Sequence, residues 1–562
     1  MEVTLKDGEV CIKCTGLEAL KVKSQIASRL GSLLRSRLDC LFFPLSSLPA
    51  VSDLIPINST DEKIRRVLEA FNRHAMARVK AISVIERESL EELPYEWSSI
   101  LDPAQATAVA AMTVSGIHGL CLFDEQGSGK TVMAIAAFDI LKKSKQADAL
   151  IVVCPKSMVS EWPKDIEKFL PGIYRVMIAE GSKRQKYEAA LKEFDILITN
   201  YEGVEPMLVT LMASTSKRRY LLIVDESFYV KNKETLRAEL AQKLRSVCFR
   251  CFVLCGTPAP NSAHDLINQF NLADLGYTFG AFRRTKNPIL DWPQIEALIN
   301  SNGLFVRRLK PEVLAHIPDK QFHVVRVKME GKQALMYEQA RSKLELELRG
   351  LNNEKFKKQL ATYFQKRAAL LQICSTPGSI DPTFADTPAK YFILDTLINK
   401  LTTEKRKVIL WSFYRKSLDE VEKRYARFNP VRVDGSVPAS DRKNAVKRFQ
   451  EDPTVMLFIG NPAAAGAGIT LHASYDAIYL SYSNQAAHYL QSLDRIHRRG
   501  QKSSHVNYYL LVCENTIEET EVLRLRGKEL SQHRLLGDNI LWPTSLDAAL
   551  SELEQGRQDG HV

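Results

Sequence analysis

The sequence predicts an α/β protein with two lobes, each built on a parallel sheet. A helical insertion lies between them, and a small α/β accessory domain precedes them. Three observations carry this. From about 98 to 275, short apolar runs (GLCLF, ALIVVC, DILITN, YLLIVD, CFVLCG) alternate with segments of helical period. The alternation returns after about 386 with KVILWSF, VRVDG, VMLFIG, DAIYLSY and VNYYLLV. Continuous apolar strands separated by helices mark a parallel sheet covered on both faces. Between the two blocks the chain is helix-rich and basic.

The remaining bounds are broad. A chain of 562 residues has room for several domains. Apolar content of 45% and charged content of 25% are ordinary for a globular protein. The net charge of +11 suits a polyanionic partner without establishing one. No apolar run reaches the roughly 18 residues that would suggest a membrane helix. The opening MEVTLKDGEVCIKC lacks the charged-then-apolar order of a secretion signal. The ten cysteines are therefore expected as reduced thiols in a cytoplasmic setting. The CxxC pairs Cys11/Cys14 and Cys248/Cys251 lie far apart in sequence, in strand-like runs. Buried structural cysteines are preferred there over a zinc site.

Taken in order, residues 1–97 form the accessory domain. VTLKDGEVCIKC reads as a hairpin turning at Asp7-Gly8, and DEKIRRVLEAFNRHAMARVKAISVIE has helical apolar spacing. Residues 98–275 form the first lobe and 276–385 the insertion. Residues 301–370 hold 15 Lys and Arg against 7 Asp and Glu, so most of the net charge collects there. A solvated helical face is the plain explanation of such a run. Residues 386–545 form the second lobe, and 546–562 a frayed tail.

The strongest local signal is FDEQGSGKT, Phe123 to Thr131. It follows an apolar run and precedes VMAIAAFDIL, the strand–loop–helix context of a phosphate loop. Gly127 and Gly129, with Gln126 and Ser128, would let backbone N–H groups converge on phosphate oxygens at a helix start. Lys130 would reach the β and γ phosphates, and Thr131 would hold Mg²⁺. About 95 residues later YLLIVDESF ends an apolar run on Asp225-Glu226. Asp225 suits Mg²⁺, and Glu226 suits orienting and polarising the attacking water. CFVLCGTPAPN places Thr257 just past another strand, where it could couple the ATP site to the rest of the lobe.

These motifs, in this order, resemble the Swi/Snf (chromatin-remodeller-like) family of superfamily 2 DNA translocases. The resemblance runs from about 98 to 540. LDPAQATAV resembles the adenine-reading Q motif, with Gln105 in the key position. DEQGSGKT resembles DExGxGKT, VVCPKSMVSEW the P-x-S-x4-W element, DILITNYE the ITSYE element, DESFYVKN the DEAHxxKN box and LCGTPAPN the LTGTPxxN box. FVRRLKPEVLAHIPDK resembles the basic segment after the first lobe, and LLQICSTP the RxICNHP element. VILWSFYRKSLDEV, VDGSV, AGAGITL and QSLDRIHRRGQ then follow in family order.

The resemblance implies two RecA-like lobes and an ATP-dependent, double-stranded-DNA translocase using ATP and Mg²⁺. It implies that Arg495 and Arg498 are arginine fingers that meet the γ-phosphate on lobe closure, where guanidinium offsets developing charge. Gly468 falls in the nucleotide set, and Gln491 and Gln501 among the coupling residues. Carried-over contacts to the DNA backbone are Lys156, Ser157, Thr199, Tyr201 and Asn461, with the basic 301–370 stretch adding others. Two departures stand out. Phe228 replaces the DEAH histidine that normally couples the ATP site to the other motifs, and Arg499 replaces a usual Ile.

Residues 1–97 are faintly similar to the accessory region of HARP-like annealing helicases. A module for branched or forked DNA is one reading, a lobe cap or partner-docking surface the other. The compact chain resembles bacterial or phage members, acting in the cytoplasm on the nucleoid in repair, fork remodelling or anti-phage restriction. A nuclease, methyltransferase or other defence or repair protein would then be a partner. Three rivals stay open: a strand-separating helicase, an ATP-driven switch or loading subunit gated by a protein, and an RNA remodeller.

Overall fold

The computed structural model describes residues 2–6, 9–13, 17–37, 40–55, 61–87, 93–215, 217–260, 262–285, 287–310, 317–464, 469–482, 486–498, 500–530 and 546–558. The chain divides into two compact units, Met1–Val313 and Leu314–Val562.

The first unit opens with a four-stranded antiparallel sheet of β1 (Glu2–Lys6), β2 (Glu9–Lys13), β3 (Arg35–Arg37) and β4 (Cys40–Pro44), in the order β1-β2-β4-β3. β1 and β2 pair from Glu2↔Lys13 to Lys6↔Glu9, the hairpin expected around Asp7-Gly8. Val3, Val10, Ile12, Leu41 and Phe43 pack beneath the helix Leu17–Leu30 to form a separate small core. The long helix Glu62–Arg87 then lies on the larger α/β body. There the His118 N–H donates to His74 Nδ1 at 3.0 Å, and the two rings stack at 4.6 Å. Ser47 and Arg283 add ties to Gly280 O at 2.6 Å and Leu30 O at 3.1 Å.

That body carries a seven-stranded parallel sheet: β5 (Gly119–Leu122), β6 (Ala149–Cys154), β7 (Val176–Ala179), β8 (Ile196–Asn200), β9 (Tyr220–Asp225), β10 (Arg250–Leu254) and β11 (Phe305–Val306). The order is β11-β5-β10-β9-β6-β8-β7. Every residue of β5, β6, β9 and β10 is buried, which is why these runs lack polar alternation. In the second unit a six-stranded parallel sheet joins β12 (Asp319–Val327), β13 (Val408–Trp411), β14 (Val431–Val433), β15 (Leu457–Gly460), β16 (Asp476–Tyr479) and β17 (His505–Cys513). Its order is β12-β17-β16-β13-β15-β14.

Two stretches differ from expectation. Residues 276–385 are divided between the units: β11 extends the first sheet, and β12 pairs along nine residues of β17 in the second. The high charge hides β12, an edge strand whose residues are largely solvent-facing. The expected tail contains a helix, Leu546–Gln558, whose Leu546, Ala549 and Leu553 join the core around Tyr337, Phe356 and Tyr363. Cys11, Cys248 and Cys251 are buried free thiols, and Cys14 lies outside the described residues. Among the described residues no helix is long and apolar enough to cross a membrane.

Candidate nucleotide-binding site

In the first sheet, Leu122 of β5 is level with Leu254 of β10, which is level with Asp225 of β9. The three following loops therefore leave the same edge side by side. They carry the Gly-rich loop, Gly256-Thr257-Pro258 and Asp225-Glu226. The carboxyl edge of a parallel sheet is where ligands of such folds bind.

The Gly-rich loop has the backbone its glycines permit. Gly127 and Gly129 have φ of +87° and +88°, and Gly129 caps the helix Lys130–Lys143. A Cβ on Gly129 would also lie 2.3 Å from Gln105 Nε2. Both ends of the Gln105 amide are engaged. Its Nε2 donates to Ser128 O at 2.8 Å, and its Oε1 accepts from Asp102 N at 3.2 Å in a capping box. It thus fixes the loop from behind. Lys130 Nζ donates to Asp124 O at 2.8 Å and Glu125 O at 3.2 Å, and Thr131 follows it on the helix's first turn. The Ser128 hydroxyl is buried with no hydrogen-bond partner among the described residues, as is that of Thr257. Two orphaned hydroxyls beside a glycine cradle and a lysine fit a polyphosphate, which would supply acceptors for all three.

The carboxylate pair is held from several sides. Trp162 Nε1 donates to Asp225 Oδ2 at 3.0 Å, and Glu226 N donates to Asp225 Oδ1 at 2.9 Å. Burial pushes the Asp225 carboxyl up, opposed by the Trp162 hydrogen bond and the Lys130 charge. Glu226 sits at φ +50°, uncommon for a non-glycine residue. Gln126 Nε2 donates to Glu226 Oε1 at 2.7 Å, joining phosphate loop and carboxylate turn. Gln126 also lies over Gly256, where a Cβ would meet its Cγ at 2.4 Å. Thr131 and Asp225 supply the oxygen ligands a hard divalent ion prefers, so the donor set fits Mg²⁺.

The basic FVRRLK segment is spent on this same edge. Arg308 donates from its backbone N to Asp124 Oδ1 at 2.9 Å and from Nη2 to Asp124 Oδ2 at 2.5 Å. Lys310, completely buried, donates its backbone N–H to Glu125 Oε2 at 2.9 Å. Arg307 bonds Phe123 O and, at 2.9 Å, Gly256 O. The sequence offered a solvated face, or added contacts to DNA, for the basic stretch that holds these residues. They buttress the phosphate loop.

The family model for the SNF2-related domain matches residues 104–379, and that for the helicase conserved C-terminal domain matches residues 389–500. The chain belongs to the Swi/Snf family of superfamily 2 ATPases. It is 28% identical over 477 residues to the ISWI chromatin-remodeling complex ATPase ISW1 of Saccharomyces cerevisiae, spanning 78% of this chain and 41% of that one. It is 25% identical over 535 residues to the SWI/SNF-related matrix-associated actin-dependent regulator of chromatin subfamily A-like protein 1 homolog of Caenorhabditis elegans, spanning 87% and 73%. Among solved structures it is similar to the Sulfolobus solfataricus SWI2/SNF2 ATPase core in complex with dsDNA, at 21% identity, TM-score 0.36, covering 81% and 94%. The chain thus spans about two fifths of the length of the yeast relative.

The other Swi/Snf positions fall into place unevenly. Lys156 and Ser157 are exposed in the loop after β6. Thr199 and Tyr201, expected to touch DNA, point inward instead. Thr199 is 0% exposed and donates to Ala179 O at 3.2 Å. Tyr201 is 3% exposed and donates to Asp225 O at 2.5 Å, because the end of β8 abuts the carboxylate turn. Tyr201 supports the Asp225 loop, Thr199 ties its strand end to β7, and both side chains are buried. Asn461 is half-buried and donates to Phe413 O at 3.1 Å.

In the second unit, Gln491 to Leu493 end the helix Ala486–Leu493 and residues 494–497 follow as a buried turn, so the described part of QSLDRIHRRGQ is no solvated helical face. Arg495 and Arg498 each donate from Nη1 to the same carbonyl, Ile469 O, at 3.2 and 3.3 Å. The structure thus gathers these two side chains on Ile469, the first described residue of the AGAGITL segment. Gln491 is 3% exposed, and its Nε2 has no partner among the described residues. Gln501 ties the turn together through Ser474 O at 2.8 Å. Gly468 and Arg499 lie outside the described residues. Sequence reading missed Trp162, although it stands in the quoted P-x-S-x4-W element.

Proposed function

We propose that the chain hydrolyses ATP with Mg²⁺ and spends the energy on moving along double-stranded DNA without separating its strands. The observation that carries this reading is the convergence of the Gly127–Gly129 loop, Lys130, Asp225, Glu226 and the orphaned Thr257 hydroxyl at one sheet edge. Loop N–H groups and Lys130 would bind the β and γ phosphates. Leaving Asp124 O and Glu125 O, Lys130 would exchange two carbonyls for phosphate oxygens. Thr131 and Asp225 would hold Mg²⁺, which when bound neutralises phosphate charge. Glu226 would orient the attacking water and take its proton on a carboxylate oxygen. Arg495 and Arg498 would stabilise the charge on the transferred phosphoryl group.

Lys156, Ser157 and Asn461 are the proposed contacts to the DNA backbone, where binding is sequence-tolerant and salt-sensitive. The net charge of +11 supports a polyanion as partner. A role on forked DNA, in repair, fork remodelling or phage restriction, belongs to the same proposal. ATPase rates with no nucleic acid, duplex, single-stranded DNA, forked DNA and RNA test it, beside Lys130→Ala and Arg498→Ala. Duplex or fork stimulation, lost in both variants, is the expected result. A rate that no DNA raises would exclude an autonomous motor and favour a protein-gated switch.

A further inference from the structure

This chain lacks the DEAH histidine, so another group must join the carboxylate turn to the neighbouring loop if the two are coupled at all. Phe228, at that position, offers only carbon and stacks on Tyr229 at 4.4 Å. The residue before it departs as well: Ser227 stands where the DEAH pattern has Ala. Ser227 is 0% exposed, and its hydroxyl donates to Gln269 Oε1 at 2.5 Å. Gln269, on the helix His264–Asp274, is also 0% exposed. Its Nε2 donates to Pro258 O and to Asp265 O, each at 2.6 Å.

One rigid amide therefore spans the two loops. Its oxygen is held by the residue after Glu226 and its nitrogen by the residue after Thr257. Both N–H bonds are used, and Ser227 and Gln269 are both closed off from the surface. The same helix holds the rest of both loops. Asn268 Nδ2 donates to Val230 O at 2.5 Å, and Lys231 pairs with Asp265 at 3.1 Å. Asp265 Oδ2 also accepts from Ser262 N at 3.4 Å.

We propose that Gln269 is the positioning residue that couples the Asp225-Glu226 turn to the Gly256–Pro260 loop, through Ser227 on one side and the Pro258 carbonyl on the other. The pair Ser227–Gln269 thereby does in this chain what a histidine at 228 would do. A shift of Ser227 when nucleotide binds must be followed by the amide, since a buried polar group left behind is costly. The amide then carries the shift to Pro258 and to Thr257 beside it. This proposal rests on the reading of the chain as a DNA-stimulated ATPase.

The test compares wild type with Gln269→Leu, Ser227→Ala and the double variant. Ser227→Ala strands the Gln269 amide oxygen, and Gln269→Leu strands both the Ser227 hydroxyl and the Pro258 carbonyl, so a loss could be structural. The double change also removes the Ser227 hydroxyl, so it recovers the part of the loss that Gln269→Leu owes to that group, while the Pro258 carbonyl stays without its amide donor in both. For the double variant, a thermal midpoint above that of Gln269→Leu and an ATP KM within about twofold of wild type are expected, since the Gly-rich loop is untouched. The ratio of DNA-stimulated to basal kcat should fall at least about fivefold in all three variants, basal kcat changing little. A double variant with wild-type stimulation would overturn the proposal. A wild type that DNA does not stimulate would instead sink the parent reading. Amide exchange across residues 252–262 supplies a readout independent of DNA. ATPγS should change it in wild type and not in the double variant, and an unchanged response in both overturns the coupling.

Discussion

Gln126 Nε2 and Glu226 Oε1 are 2.7 Å apart, so a side chain from the Gly-rich loop grips the carboxylate proposed to polarise water. Phosphate binding and water activation thus share one hydrogen bond. Gly256 is part of the arrangement, since any side chain there would displace Gln126. A hydrogen bond to a charged group is worth about 1.5–3 kcal/mol.

Gln126→Ala should consequently act on kcat. The loop N–H groups and Lys130 remain, so ATP KM is expected within about threefold of wild type. Glu226 loses a positioning partner, and kcat should fall about tenfold, the equivalent of about 1.4 kcal/mol. Steady-state ATPase with DNA present checks this. A raised KM at unchanged kcat would show that Gln126 serves binding alone.

Asp124 and Arg308 form a second such joint, 184 residues apart in sequence. Asp124 is 0% exposed and takes three donors from Arg308, one of them backbone. Arg308→Ala leaves the carboxylate with the backbone donor and no guanidinium. Breaking a buried pair costs about 3–5 kcal/mol, and the surviving donor puts this case near the lower end. Urea unfolding should show that loss, and Asp124→Asn in the Arg308→Ala background should recover part of it. An unmoved midpoint in Arg308→Ala would mean that the pair adds nothing to stability.

The same joint shows what the sequence could and could not tell. Strands β5, β6, β9 and β10 were legible because burial on both faces leaves an apolar run that nothing else produces. The Gly-rich loop was legible because positive φ at Gly127 and Gly129 demands glycine at fixed spacing. The inward role of Arg307, Arg308 and Lys310 was not legible because charge has no visible address. A basic run looks alike whether it awaits a phosphate or already holds Asp124 and Glu125. Thr199 and Tyr201 were misread for a related reason. Motif wording fixes a residue's place on the strand end, while the neighbouring turn decides whether its hydroxyl faces in or out. The Gln269 connection was invisible, since only tertiary packing brings Ser227 and Pro258 to one amide.

The contact between the helix Glu62–Arg87 and the α/β body should be acid-sensitive. Burial, with His118 and then Arg78, Arg245 and Arg250 nearby, lowers His74 to about 2, and burial with Arg245 lowers His118 to about 4. Unfolded, both titrate near 6.5. As pH falls below about 6.5, the unfolded chain gains two protons that the folded chain refuses, so stability drops. Asp274, raised by burial to about 6, works the other way, because the folded chain takes its proton first. Between about pH 6 and 4 one unopposed histidine remains, a loss of about 1.4 kcal/mol per pH unit. His74→Gln should remove that slope. Urea midpoints at several pH values from 7.5 to 4.5 check it, through the stability difference between wild type and variant. A difference that stays constant with pH would sink the prediction.

The C-terminal helix Leu546–Gln558 should prove necessary to the second unit. Arg367 is 2% exposed and donates to Glu552 from Nε at 2.9 Å and from Nη2 at 2.5 Å, and to Glu521 from Nη2 at 2.9 Å. Tyr363 OH donates to Glu552 at 2.9 Å. Deleting residues 546–562 would strip Arg367 of one of its two carboxylates and uncover the faces that Leu546 and Leu553 occupy. Two buried leucines contribute about 3–6 kcal/mol, to which the broken pair adds. Glu552→Gln isolates the charge, because it keeps the helix and its leucines, and about 2–3 kcal/mol should be lost. Arg367→Met combined with Glu552→Gln should recover part of that, since neither charge is then stranded. Denaturant unfolding of the three forms decides the matter. A deletion that leaves the midpoint in place would show that the core around Tyr337 and Phe356 is complete without this helix.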